Sequence, residues 1–261
     1  GSARAPSGRS GCRKKRKPMR TDTLTPEKDP MGAAIADFHR RGKAQPLRVF
    51  SSRFDEDEMP VKELFRTFDT MPPLEQTALR MAQGRILDVG AGSGCHSLAL
   101  QTMGKDVCAI DISPLSVEVM RERGVKDVRL ANLFGNEPLG TFDTILMLMN
   151  GSGIIGRIEN LNPFFQRMKN LLNPGGSILM DSSDLRYLFE DEEGDFLPDP
   201  EEGYYGEIDF RMKYKQVESD PFDWLYIDFD TLALHAAQAG FHAERILEGE
   251  HFDYLARLTM A

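Results

Sequence analysis

The sequence has no apolar stretch that approaches the roughly 18 residues of a membrane span, and it has no secretion signal. Its three cysteines, Cys12, Cys95 and Cys108, are scattered and odd in number, so they favour a reducing compartment over a disulfide framework. The five histidines are dispersed without metal-ligand spacing. We therefore expect a cytoplasmic protein with no membrane segment and no metal site.

Basic residues are concentrated in the first 20 positions, which hold eight of them and no acid. Residues 21–261 contain 24 basic and 41 acidic residues, a net charge of about −17. An acidic body of this kind is expected to repel nucleic acid. Residues 1–30 are polar and lack periodicity, and we interpret them as a disordered basic tail that begins with a vector-derived remnant.

Helical patterns precede the main domain. Apolar residues recur at helical spacing within 59–72, and residues 73–84 open with proline and close with glycine, as helices prefer. Residues 31–42 fit a further short helix. Residues 31–84 are therefore predicted to form an N-terminal helical cap.

From residue 85 onward, apolar strands alternate with turns and helices. Continuous apolar segments begin at positions 85, 106, 128, 142 and 177, as the buried strands of a parallel sheet require. A turn-rich, alternating segment at 182–229 indicates a β-hairpin insertion, and a helix with two more strands follows it. The predicted fold class is α/β, with a doubly wound, mostly parallel seven-stranded sheet in one domain over 85–261.

The loop after the first of these strands reads Asp88-x-Gly90-x-Gly92-x-Gly94. A glycine turn between a strand and a helix lets a ligand approach the backbone, and the helix start offers free N–H groups. The dinucleotide-binding fingerprint does not fit, because its third glycine position falls on a cysteine or a serine in either register. This spacing disfavours a nicotinamide oxidoreductase.

The loop resembles the first motif of class I S-adenosylmethionine-dependent methyltransferases. The resemblance extends over about residues 60–261, through Asp111 after the second strand, Asn132 after the third, Asn150 after the fourth, and the turn "LLNPGG" before the fifth. It implies a Rossmann-like methyltransferase fold and an enzyme. It also implies S-adenosyl-L-methionine as cofactor and S-adenosyl-L-homocysteine as product.

The resemblance further implies how the donor is held. Asp111 is expected to accept hydrogen bonds from both ribose hydroxyls, and the side-chain oxygen of Asn132 to accept one from the adenine amino group. Asp88 suits the ammonium of the methionine end, and Arg66 its carboxylate. The predicted cofactor-binding residues are Asp88, Gly90, Ala91, Gly92, Gly94, Asp111, Ile112, Asn132, Leu133, Leu148, Asn150 and Arg66. Cys95 and His96 are expected to serve packing and capping only.

The implied reaction is an in-line displacement of the sulfonium methyl by an N, O, S or C nucleophile, for which positioning is the main catalytic requirement. The sequence "NGSG" at 150–153 departs from the Asn-Pro-Pro-Tyr typical of enzymes that methylate nucleic-acid bases or glutamine. The insertion favours a small-molecule acceptor beside its aromatic residues Tyr204, Tyr205, Phe222, Trp224 and Tyr226. The catalytic candidates are Asn150, Asp181 and Tyr204.

Two alternatives stay open. An RNA or protein methyltransferase is supported by the basic tail alone. A non-catalytic S-adenosylmethionine-binding protein has the same donor pattern. The acceptor, the attacked atom and the oligomeric state are not specified by any motif in the chain.

Overall fold

The computed structural model describes residues 18–199 and 201–261, so the first part of the predicted tail lies outside the described residues. The prediction of disorder was wrong for residues 18–30, which are ordered in the structure. A 3₁₀ helix spans Pro26–Lys28, and the backbone N–H of Leu24 donates to the carbonyl of Ile112 (N···O 2.8 Å). The segment is ordered because its backbone bonds to the main domain, and sequence periodicity does not reveal such a contact.

The segment predicted to be a helical cap contains two strands as well as helices. It comprises α1 (Pro30–Arg41), β1 (Leu47–Phe50), β2 (Asp57–Met59) and α2 (Pro73–Met81). The helical spacing within 59–72 corresponds to two short 3₁₀ helices, Val61–Phe65 and Phe68–Thr70, and not to one α-helix. The purely helical interpretation of 31–84 was therefore wrong, because β1 pairs with β2 and also with a distant part of the chain.

The remaining elements follow the predicted alternation closely. They are β3 (Arg85–Val89), α3 (Cys95–Thr102), β4 (Asp106–Asp111), α4 (Pro114–Arg123), β5 (Val128–Leu130), β6 (Phe142–Met147), α5 (Leu161–Leu171), β7 (Leu172–Ser183), β8 (Glu207–Tyr214), β9 (Val217–Glu218), β10 (Phe222–Leu225), α6 (Phe229–Gln238), β11 (Phe241–Glu248) and β12 (Asp253–Met260).

The main sheet has seven strands in the order β11-β12-β7-β6-β3-β4-β5. Strands β3 to β7 are parallel to one another, whereas β12 runs antiparallel to both of its neighbours. The predicted doubly wound, mostly parallel sheet is confirmed. Its central strands are mostly apolar because helices cover both faces, and residues such as Leu87, Ile145 and Ile178 are fully buried.

A second sheet brings the N-terminal segment and the insertion together. Its order is β10-β8-β1-β2, with β9 paired to β8. The predicted hairpin is present, since β10 and β8 are antiparallel with Phe222 opposite Phe210. Strand β1 then adds to the other edge of β8, with Arg48 opposite Lys213. Residues of this sheet line the crevice described below together with the carboxyl ends of the main-sheet strands.

Among the described residues, no helix is both long and apolar enough to cross a membrane. Within the same part of the chain, no three His, Cys, Asp or Glu side chains converge in a way that suits a metal ion.

Candidate functional site

A crevice of about 1540 Å³ lies at the carboxyl ends of β3, β4, β6 and β7. Strand β3 has β4 on one side and β6 on the other, so the chain reverses its direction of winding at this point. Open α/β sheets bind ligands at such a switch point. The crevice is lined by eleven of the twelve residues predicted to bind a cofactor, all except Gly94.

The glycine loop joins β3 to α3 with positive φ angles at Gly90 (66°), Gly92 (59°) and Gly94 (84°), a backbone region that favours glycine. Gly90 and Gly92 border the crevice, and a Cβ at Gly90 would lie 3.1 Å from Ile154 Cδ1. Gly94, also predicted to bind the cofactor, does not line the crevice. Its Cβ would lie 2.9 Å from Met120 Cγ and from a Val125 methyl carbon, so its role is close packing of α3 against α4.

The carboxylate of Asp111, at the end of β4, is held by two backbone groups. Its Oδ2 accepts from the N–H of Gly92 (2.8 Å), and its Oδ1 accepts from the N–H of Ser113 (2.9 Å). Burial raises the pKa of Asp111 to about 6, although both hydrogen bonds act in the opposite direction. Asp111 does not cap the next helix, since Ser113 is the N-cap of α4 and accepts from the N–H of Ser116 (3.0 Å).

Asn132 lies at the same end of the crevice, but its amide is engaged by the protein. Its Oδ1 accepts from the N–H of Phe134 (2.9 Å), and its Nδ2 donates to the carbonyls of Arg20 (3.1 Å) and Asp22 (2.9 Å). The N-terminal segment thus borders the crevice beside Asn132. One lone pair of Oδ1 remains for a ligand, so the predicted contact stays a prediction.

Asp88 ends β3 at the floor of the crevice and is 3% exposed. The hydroxyl of Ser97 donates to its Oδ2 (2.7 Å). Burial raises the pKa of Asp88, and the nearby His96 lowers it to a smaller extent. A buried carboxylate that faces a crevice is suited to a cationic group.

A hydrogen-bonded network that the sequence did not reveal lies beside Asp88. Arg66 Nη2 donates to both carboxylate oxygens of Glu75 (2.8 and 2.9 Å), and His96 Nε2 lies 2.6 Å from Glu75 Oε1. Burial lowers the pKa of His96, but the hydrogen bond with Glu75 and the charge of Asp88 outweigh burial and raise it overall. His96 was expected to serve packing and capping only, but it also takes part in this hydrogen-bonded network.

This network bears on the predicted role of Arg66. The side chain lines the crevice, and its Nε is buried without a hydrogen-bond partner in the described part of the chain. Its guanidinium is held by Glu75 in the structure, and pairing with a cofactor carboxylate stays a prediction. No local signal predicts the network, because its members come from a loop and two helices.

The chain turns sharply where β6 ends. Met149 (φ 63°) and Asn150 (φ 53°) both adopt the left-handed conformation, a strain that clusters at functional sites. Asn150 Oδ1 accepts from the hydroxyl of Ser183 (2.7 Å), and Asp181 Oδ1 accepts from the N–H of Gly151 (3.0 Å). Burial raises the pKa of Asp181 to about 6. Asn150 and Asp181 both line the crevice, and their catalytic roles stay predictions.

Tyr204, the third catalytic candidate, lies elsewhere. Its hydroxyl donates to Asp228 Oδ1 (2.5 Å) and accepts from the N–H of Asp228 (2.9 Å), and its ring packs against the main core. Neither Tyr204 nor Tyr205 lines the crevice. The other three predicted aromatic residues, Phe222, Trp224 and Tyr226, do line it.

The comparisons with known proteins agree with this geometry. A family model described as a methyltransferase domain matches residues 86–176. A solved S-adenosylmethionine-dependent methyltransferase from Bacteroides fragilis, in complex with S-adenosyl-L-homocysteine, is 69% identical with a TM-score of 0.89, and the match covers 94% of this chain and 100% of that chain. The chain belongs to the S-adenosylmethionine-dependent methyltransferases.

More distant relatives of this methyltransferase differ in their named reactions. A ubiquinone biosynthesis O-methyltransferase from Xanthomonas euvesicatoria is 27% identical over 155 residues, or 57% of this chain and 63% of that protein. A demethylmenaquinone methyltransferase from Tropheryma whipplei is 25% identical, with 59% and 74% covered. The CcbJ methyltransferase of Streptomyces caelestis shares the fold (TM-score 0.61, 15% identity, 91% and 100% covered). The chain thus spans about 63% of the length of the first of these relatives.

Proposed function

We propose that this methyltransferase binds S-adenosyl-L-methionine in the crevice and transfers its methyl group to a small molecule held between the two sheets. The observation that carries the proposal is the carboxylate of Asp111, fixed at the end of β4 by the N–H of Gly92 from the glycine loop. This hydrogen bond joins the carboxylate proposed to bind the ribose to the glycine loop proposed to bind the methionine end.

The residues of the crevice fit such a donor along its whole length. Asp111 offers its remaining lone pairs to the ribose hydroxyls, beside the apolar walls Ile112 and Leu133. Gly92 leaves the backbone open to the methionine end, because a Cβ there would meet no atom nearer than 3.9 Å, and Asp88 supplies a negative charge for the ammonium. Arg66 also lines the crevice, and its positive charge suits the carboxylate.

The bound donor supplies a methyl group on a positively charged sulfur, ready for in-line displacement. The protein's own contribution is then mainly positioning and exclusion of water, and positioning alone supplies roughly 7–11 kcal/mol in well-oriented reactions. The strained turn at Met149 and Asn150 fixes the edge of the crevice where β6 and β7 end. Residues of the second sheet line the crevice on its other side.

Two features favour a small acceptor over a polymer. The crevice beside Asn150 and Asp181 is also lined by Phe222 and Trp224 of the second sheet. The body is strongly acidic, which disfavours nucleic acid. The quinone-biosynthesis names of the curated relatives are consistent with a small acceptor. The basic tail that supports the RNA alternative lies within residues 1–20, most of which are outside the described range.

A single experiment tests the proposal. The purified protein is incubated with methyl-labelled donor and a small-molecule cell extract, and labelled products are identified by mass spectrometry. A labelled small molecule together with S-adenosyl-L-homocysteine is the expected result. Tight donor binding without any labelled product from small-molecule, RNA or protein fractions would instead support the non-catalytic alternative, and label in RNA or protein would support the polymer alternative.

A further inference from the structure

The part of the crevice that the second sheet lines, here called the acceptor pocket, has an apolar and aromatic wall. Strands β2, β8 and β10 with the residues that follow them supply Met59, Phe210, Met212, Phe222, Trp224 and Tyr226. Rings of this kind suit both apolar groups and cations, because the face of an aromatic ring attracts positive charge.

One short turn connects this wall with the carboxylate at the end of β7. The N–H of Gly151 donates to Asp181 Oδ1, and two residues later the backbone of Gly153 packs so closely against Trp224 that an added Cβ would lie 1.8 Å from the indole. Ser152, between them, donates to the carbonyl of Leu225 (2.7 Å) and so fixes β10 to the same turn. Asp181 and Trp224 are therefore held on one rigid support at the pocket.

Carboxylates outnumber cations around the pocket. The acidic lining residues are Asp55, Asp57, Glu58, Asp181, Asp220, Asp223 and Asp253. Among the cations beside them, Lys28 pairs with Asp220 (3.1 Å), and Arg157 pairs with Asp223 (3.3 Å) and with Glu207 (3.1 Å). Arg48 lies opposite Glu58 on the neighbouring strand, and His251 lies beside Asp253. The pocket therefore keeps an excess of negative charge even after its ion pairs are formed.

Among these acidic residues, Asp181 gives the strongest indication of a bound cationic ligand. Its residue is 7% exposed, its side chain lines the crevice, and among residues 18–199 and 201–261 it forms no ion pair. The two nearby candidates, Arg66 and His96, are both engaged by Glu75. A buried carboxylate without a cation is costly, and a cationic ligand removes that cost.

We infer that the methyl acceptor is a small apolar amine that is protonated in solution, with Asp181 binding its ammonium group and Trp224 covering its carbon framework. The inference rests on the proposed function and narrows it to N-methylation. An anionic acceptor, such as a carboxylate or a phenolate, would be repelled by the same pocket.

The transfer balances with the groups present. Asp181 takes one proton from the bound ammonium, which leaves a lone pair on nitrogen. That lone pair forms the new N–C bond to the methyl carbon, and the electrons of the broken S–C bond return to sulfur as a thioether. The methylated nitrogen carries the positive charge, and the proton on Asp181 passes to water when the product leaves.

The first test asks which acceptors carry the label. A small-molecule extract is separated at pH 7 into cationic, neutral and anionic fractions, and each is offered with methyl-labelled donor. Label on nitrogen in the cationic fraction is the expected result. Label in the neutral or anionic fraction would overturn the amine inference and leave the proposed function intact. If donor binds and no fraction is labelled, both fail.

The second test needs no knowledge of the natural acceptor. Trp224 is the single tryptophan of the chain, so intrinsic fluorescence reports on the pocket directly. Protein loaded with S-adenosyl-L-homocysteine is titrated with benzylamine and with benzyl alcohol, which have nearly the same shape and differ in charge. We expect benzylamine to bind about 10- to 150-fold more tightly, the range of a hydrogen bond to a charged group.

Asp181→Asn should reduce this preference to about threefold or less, because the amide keeps the size but not the charge. Asp230→Asn is the matched control, since Asp230 is exposed on α6 and does not line the crevice; it should keep the full preference. A preference that survives Asp181→Asn, or equal binding of the two probes to the wild type, would overturn the inference. Donor affinity, measured on the same variants, confirms that the site is intact.

Discussion

Replacement of Asp111 by asparagine tests the residue on which the donor assignment depends most. In the structure its carboxylate already accepts two backbone N–H groups, at 2.8 and 2.9 Å, and still has lone pairs that face the crevice. Asparagine keeps the shape but loses the charge and one acceptor. Donor binding should weaken by about 1.5–3 kcal/mol, the value of hydrogen bonds to a charged group, or about 10- to 150-fold in Kd.

The pH dependence gives a second signature of the same carboxylate. Burial raises the pKa of Asp111 to about 6, so protonation below that pH removes its negative charge. Donor affinity should therefore fall as the pH is lowered through about 6. The folding stability of the ligand-free protein changes with pH in the opposite direction. Because the folded pKa of Asp111 lies above its unfolded value of about 3.8, proton binding by Asp111 stabilises the fold below about pH 3.8. This stabilisation is lost as the pH rises through about 6.

The assay is isothermal titration calorimetry with S-adenosyl-L-homocysteine at pH 8 and pH 5.5, on the wild type, Asp111→Asn and the control Asp230→Asn. The control should match the wild type at both pH values. An unchanged Kd in Asp111→Asn would refute the assignment of Asp111 to the ribose. A variant that weakens binding but keeps the wild-type pH dependence would show that another group titrates.

Three further changes test other features. Glu75→Gln should lower the pKa of His96, because their hydrogen bond raises it against the effect of burial; an NMR titration that finds no change would contradict that contact. Gly94→Ala should destabilise the fold by about 1–3 kcal/mol in urea unfolding through overpacking and positive φ, more than Gly104→Ala, which has a similar φ and open surroundings; equal losses would refute the packing role. Deletion of residues 1–24 should weaken donor binding by roughly 1 kcal/mol, because backbone acceptors that hold the asparagine beside the crevice are lost; unchanged calorimetric affinity would show that this segment plays no part.

The parts of the fold that sequence reasoning predicted are those with a strong local signal. Strands β3 to β7 are continuous apolar segments between helices, and a buried parallel sheet is the arrangement that covers both of their faces. Asp88, Asp111 and Asp181 were predicted as site residues separately, from their places near the ends of those strands. Because the ends of parallel strands meet at one edge of a sheet, all three line one crevice, and their roles stay predictions.

The parts that escaped prediction depend on contacts between distant residues. Strand β1 pairs with β8 across more than 150 residues, and nothing in the pattern of 47–50 specifies that partner. The ordered segment 18–30 is fixed by similar non-local bonds. Tyr204 belongs to the alternating segment of the insertion, but alternation does not predict whether its ring lines the crevice or packs against the main core, as it does. Gly94 has the motif spacing, yet its neighbours on α4 decide its role.

The crystal structure of this methyltransferase with S-adenosyl-L-homocysteine is the most direct test of the central claim. We predict that the ligand occupies the crevice, with both ribose hydroxyls on Asp111 and its amino-acid end between the glycine loop and Asp88. A crevice without ligand at saturating concentration, or a ribose that faces away from Asp111, would contradict the account.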